Sequence, residues 1–246
     1  MKRFPSVPDI SQRPVRAQRR PRLGAAAAVL LCAALAGCAS RPPVPDWQLN
    51  AHGAAEKAVQ AYLSGNARAA QRAFDNARAE TARTGQPALL ARVELLRCAA
   101  QVASLVSEPC SAFEALREDA AAPETAYAHY LAGQAQPADV ALLPAAQQGV
   151  AAAAAAGDAD HAAAALARIP DPLSRLVAAG VLLRSGQASP PVVAAALDAA
   201  SRQGWRRPLL AWLALQAARA EAAADAEEAA RLRRRMAVVE RSGAAQ

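Results

Sequence analysis

The chain has 246 residues, 54% hydrophobic, 20% charged and only 4% aromatic, and its 28 lysines and arginines against 21 aspartates and glutamates give a formal net charge of +7. Seven of the basic residues and one acidic residue fall within the first 37 positions, so residues 38–246 carry 21 basic and 20 acidic groups. That near balance removes charge as an argument for nucleic-acid binding, and the remaining length suits one domain with a substantial core or an array of repeats.

The first element is an uncharged run of 18 residues from Leu23 to Ser40, bounded by Arg22 and Arg41. It reaches the lower limit for a membrane-spanning helix, yet Leu23, Val29, Leu30, Leu31 and Leu35 are its only strongly apolar side chains. A secretory signal fits better, with Arg16, Arg19, Arg20 and Arg22 as the basic segment, a short apolar stretch, and small residues at a cleavage site. Leu35-Ala36-Gly37-Cys38 resembles the lipobox of bacterial lipoproteins at every position. The resemblance implies cleavage before Cys38, a diacylglyceryl thioether on its sulfur and an acylated new amino terminus. One acyl chain holds a membrane only marginally, so the several chains of such an anchor are what make it stable. The residue after Cys38 is Ala39, whereas aspartate at that place resembles the inner-membrane retention signal of enteric bacteria, so the expected location is the outer membrane, facing the periplasm. The expected division is 1–37 signal peptide, 38–45 lipidated cysteine and proline-rich tether, 46–241 helical-repeat domain and 242–246 disordered tail.

Everything after Asp46 reads as helix, over 46–64, 67–84, 88–105, 110–121, 123–133, 144–156, 158–168, 172–184, 190–203 and 208–240, and no segment alternates like a strand. Asp46 is a candidate N-cap, and Asp171 and Ser189 each precede a proline at the first helical position. Helices joined by such short connections must bury their apolar stripes on neighbours, as a compact bundle or a stacked solenoid. Gly65, Ala70, Phe74 and Ala77, with Ala58 upstream, resemble the tetratricopeptide repeat over about 35 residues. In that repeat small residues let paired helices approach and an aromatic fills the gap. The pattern departs from the family at Ala61, where an aromatic is expected, and at the closing proline, delayed to Pro87. The expected fold is all-α, with antiparallel helix pairs stacked as a short tetratricopeptide-like solenoid.

Cys32 lies in the leader and Cys38 is the anchor, which leaves Cys98 and Cys110, an even pair in a compartment where disulfides persist. Either they bridge or they are two buried thiols. The 12-residue separation allows the chain to climb out of the helix at 88–105 and return, so a disulfide is the favoured reading.

Sites for chemistry are scarce. No Gly-x-Gly, Gly-Lys-Ser/Thr or Gly-x-Ser-x-Gly occurs, so dinucleotide, P-loop and nucleophile-elbow signatures are absent. His52, His129 and His161 lack metalloprotease spacing, and Asp158, Asp160 and His161 read as a helix start, so no metal or other cofactor is expected. Glu56, Glu80 and Glu94 read as solvent-facing helix residues, and Glu227 and Arg231 as an i,i+4 pair on a solvated terminal helix. Tyr127, Tyr130 and Leu131 form one buried stripe. Trp205, Arg206 and Arg207 are the candidate partner-binding residues by residue type, with a plug at a helix junction as the other reading of Trp205.

The expected function is that of a lipid-anchored periplasmic helical-repeat protein, an adaptor or assembly scaffold without catalytic residues, held to the membrane through Cys38 and engaging protein partners. The alternatives are a peptidoglycan-acting envelope enzyme or enzyme activator, which a close pair of buried carboxylates in a cleft would favour, and a structural spacer.

Overall fold

Alanine, the best helix former, sets the local structure, and prolines and glycines cut it into lengths. The computed structural model describes residues 43–243. The helices are α1 (Asp46–Leu63), α2 (Ala67–Ala82), α3 (Pro87–Ala103), the single turn α4 (Ser111–Glu114), α5 (Ala122–Leu131), α6 (Ala145–Ala155), α7 (Ala159–Ala167), α8 (Pro172–Arg184), α9 (Pro190–Gln203), α10 (Arg206–Ala222) and α11 (Ala226–Gly243), with 3-10 turns at Arg117–Asp119 and Pro137–Leu142. There is no strand among the described residues, and no helix there is long and apolar enough to cross a membrane. The expected signal peptide and the expected lipidation site at Cys38 lie outside the described residues. So do residues 244–246, whereas α11 runs two residues past the boundary expected at 241.

The all-α expectation of paired helices holds. The connections between α1 and α2, α6 and α7, and α10 and α11 are three residues long, which turns each pair back on itself. Between α1 and α2 the turn passes through Gly65 at φ +89, a conformation a Cβ would strain. The ladder of small residues and one aromatic packs this pair, with Ala58, Ala70, Phe74 and Ala77 all buried.

Two segments depart from the expected helices. The stretch expected over 110–121 is only α4 and a 3-10 turn, because Phe113 is its one fully buried side chain and a short helix without a buried stripe has little to hold it. The segment 208–240 is two helices. Ala224 takes φ +58, and Asp225 Oδ1 accepts the Glu228 N–H at 3.0 Å to start α11. Of the expected caps, Asp171 accepts from Ser174 N–H at 2.7 Å. Ser189 makes no side-chain cap, and Asp46 lies inside the first turn of α1, with Pro45 as the preceding residue.

The pairs stack, and α10 packs back against α1, with Trp205 donating to Gln60 and Arg207 to the Tyr62 carbonyl. Helix α8 is the centre. Leu176, Val177, Ala178, Ala179, Gly180, Val181 and Leu182 are consecutive and all buried, as expected of a helix enclosed on every side. It packs closely against α3, and the contact depends on Gly180, where a Cβ would lie 2.4 Å from the Val102 carbonyl oxygen. Trp212 of α10 is fully buried and donates its indole N–H to the Ala103 carbonyl at 3.1 Å, satisfying the end of α3. Arg184 ends α8 by donating to the Leu131 carbonyl at 2.9 Å and to the Val106 carbonyl. Burial holds its guanidinium below the ordinary arginine pKa.

Candidate functional site

Two adjoining grooves open on the face made by α1, α3 and α5. Helical spacing places their walls. His52, Glu56, Val59 and Gln60 recur at i, i+4, i+7 and i+8 along α1, and Arg92, Leu95 and Leu96 at i, i+3 and i+4 along α3, so each set lies on one side of its helix. The first groove, about 580 Å³, lies between that side of α1, Leu96, the start of α8 at Asp171 to Leu173, and Trp205. The second, about 420 Å³, lies between Leu95 and Leu96 of α3, Pro123, Glu124 and Tyr127 of α5, and Leu142 and Leu143. Leu96 stands between the two and lines both.

The polar groups of the two grooves differ. In the first, His52 Nε2 and Glu56 Oε1 are 3.3 Å apart, but their side chains are 75% and 68% exposed, so the pair is weak. In the second, Glu124 is 6% exposed and its Oε1 accepts from Arg92 Nε at 2.5 Å. Its Oε2 is buried with no hydrogen-bond partner, which leaves one oxygen of a desolvated carboxylate uncompensated. Burial also raises the Tyr127 hydroxyl pKa beyond the ordinary tyrosine range. The second buried glutamate, Glu94, is 3% exposed and paired with Arg78 Nε at 2.7 Å. This corrects its reading as a solvent-facing residue, because Arg78 of α2 reaches across to α3 and encloses it. Glu80 pairs with Arg83 across one turn, and Glu56 is exposed as expected.

The candidate partner-binding residues separate. Trp205 is 5% exposed and its indole N–H donates to Gln60 Oε1 at 3.1 Å, tying the start of α10 to α1. It is the plug at a helix junction rather than an exposed anchor, and only the edge it leaves uncovered contributes to the first groove. Arg207 is half-buried, donates to the Tyr62 carbonyl at 2.8 Å and stacks over the Tyr62 ring with its Cζ 4.3 Å from the centroid. Arg206 is half-buried beside the α1–α2 turn, within about 4 Å of where a Gly65 Cβ would stand. Neither arginine lines either of these grooves: Arg207 is used in closing α10 onto α1, and Arg206 Nε is buried without a hydrogen-bond partner.

The other expectations resolve locally. Cys98 and Cys110 are paired at disulfide distance, with Cα atoms 5.8 Å apart, inside the range a bridge spans. Asp158 accepts the His161 backbone N–H at 2.9 Å and caps α7, an interaction that holds its carboxyl below the usual pKa. His129 Nδ1 lies 3.2 Å from Asp139 Oδ2. No group of three or more histidine, cysteine, aspartate or glutamate side chains among the described residues could hold a metal ion. Tyr130 and Leu131 are buried, with the Tyr130 hydroxyl donating to Gln147 Oε1 at 2.7 Å. On α11, Arg231 pairs with Glu228 at i,i+3 rather than with Glu227, and Arg233 pairs with Glu221 of α10.

Sequence reasoning missed the groove residues Leu96, Arg92 and Glu124. Arg92 and Glu124 are 32 positions apart, and nothing in linear spacing joins them. The fold and the grooved face define a class, an all-α protein of stacked helix pairs with an open face. No protein-family model matches the chain, and neither a curated protein nor a solved structure matches it significantly.

Proposed function

We propose that the protein is a lipid-anchored adaptor of the cell envelope. Cys38 carries the anchor in the outer membrane, the proline-rich segment 38–45 spaces the helical domain from the bilayer, and the α1–α3–α5 face holds a partner polypeptide. The observation that carries the reading is the pair of grooves meeting at Leu96, of about the sizes ligand clefts take and continuous enough for an extended ligand. The buried carboxylates favour an adaptor over a hydrolase of peptidoglycan, since Glu94 and Glu124 are each engaged by an arginine rather than by a second acid. Periplasmic oxidation makes the Cys98–Cys110 pair a disulfide, which fixes the end of α3 behind the grooves.

The test is chemical crosslinking and affinity capture from native envelopes, with wild type beside Leu96→Asp. Leu96 is half-buried, so the variant places a charge at the junction of the grooves, and circular dichroism with a urea midpoint establishes that it is folded before capture is compared. The proposal expects a discrete partner with wild type and its loss with Leu96→Asp. Equal recovery by both, or recovery of nothing by either, overturns it and leaves the spacer.

A further inference from the structure

The walls of the grooved face restrict the chemistry of what lies there. The part between α3 and α5 is bounded by Leu95, Leu96, Tyr127, Leu142 and Leu143, and its only charged residues are Arg92 and Glu124. Leu142 is 41% exposed, so an aliphatic surface faces solvent at the mouth of the groove. At its side, Glu124 Oε2 is buried without a donor. A buried acceptor left unpaired is costly. Across Leu96, the first groove adds Glu56 and Asp171 and no lysine or arginine. The face therefore sets three carboxylates against one guanidinium, that of Arg92, which is 63% exposed and gives its Nε to Glu124. Asp171 has one oxygen engaged in capping α8, and Glu56 lies 3.3 Å from the exposed His52.

We infer that this face takes a polypeptide segment of mixed apolar and cationic side chains. Aliphatic groups fill the α3–α5 groove, and cationic groups lie toward the carboxylates of Glu124, Glu56 and Asp171. The inference rests on the adaptor reading and names the chemistry of its partner. An acidic segment, or the headgroup of an anionic lipid, meets net repulsion along the same path.

The probe is a fluorescein-labelled helical peptide of leucine and lysine, compared with its leucine–glutamate counterpart of equal length and order. Both are titrated by fluorescence anisotropy against the full mature chain carrying Cys38→Ser. The leucine–lysine peptide is expected to bind at least about tenfold more tightly than the leucine–glutamate peptide. Glu124→Gln is expected to weaken it about tenfold through loss of a carboxylate beside the groove, and Leu142→Ser several-fold. Circular dichroism and urea midpoints establish that each variant is folded. Because Leu142 is a surface residue, Leu142→Ser reports even where Glu124→Gln unfolds. Equal or tighter binding of the leucine–glutamate peptide overturns the inference, as does unchanged binding by the folded variants. A Leu96-dependent partner in envelopes that the leucine–lysine peptide fails to displace refutes the inference and spares the adaptor; absence of any Leu96-dependent partner removes both.

Discussion

Replacing Gly180 by alanine should destabilise the domain, although alanine is the better helix former. An added Cβ would lie 2.4 Å from the Val102 carbonyl oxygen and 2.9 Å from Val102 Cγ1. Ordinary carbon–oxygen contacts begin near 3.3 Å, so α3 and α8 must separate by about 1 Å. The nearest atom is backbone and cannot rotate away. Overpacking of this kind costs about 1–3 kcal/mol, and the clash with a main-chain oxygen places Gly180→Ala at the upper end. The gain in helix propensity returns about 1 kcal/mol, leaving a net loss of about 2 kcal/mol. For a chain of this size that is a fall in Tm of about 4–8 °C. Gly53→Ala in α1 is the internal comparison, since a Cβ there meets nothing within 4 Å and the same propensity term should stabilise by up to about 1 kcal/mol. Urea denaturation with m-values checked for constancy reads both. The reasoning is refuted if Gly180→Ala matches or exceeds the parent in stability, because the α3–α8 approach would then not depend on a missing side chain.

Three further outcomes follow from the same structure. Replacing Cys98 and Cys110 by serine should lower stability by roughly 3 kcal/mol, the chain-entropy value for so short a loop, and mass spectrometry of alkylated, unreduced parent protein should show no free thiol at either position. Asp225→Ala removes the side-chain acceptor of the Glu228 N–H and should cost about 1 kcal/mol, seen as a lower urea midpoint with fraying confined to α11 in hydrogen exchange. Cys38→Ser should abolish detergent-phase partitioning, since only a thiol forms the thioether; persistence of the protein in the detergent phase would contradict the anchor.

The helices were legible where a local signal punctuated them. Asp171 before Pro172 fixes the start of α8, and the Gly65, Ala70, Phe74, Ala77 ladder identifies the first pair, because caps, turns and small-residue contacts are written within a few positions. The break at Ala224 was hidden. Alanines on both sides favour a continuous helix, and only the Asp225 cap, three residues before Glu228, hints at a new start. Long-range closure was less visible still. Trp205, conspicuous beside two arginines, turns inward to Gln60, a residue 145 positions away, and Glu94 is buried by an arginine from the preceding helix. The grooves depend on Leu96, Glu124 and Leu142 coming together from three segments, and residue type alone marks none of them.

The central claim is that the α1–α3–α5 face is where a partner sits. A photocrosslinking amino acid placed at Leu142, at the mouth of the second groove, and in parallel at Glu227, exposed on α11, tests it in intact envelopes. The account predicts a discrete crosslinked species from position 142, lost with Leu96→Asp, and none from position 227. No adduct at 142, or the same adducts from both positions, would contradict it.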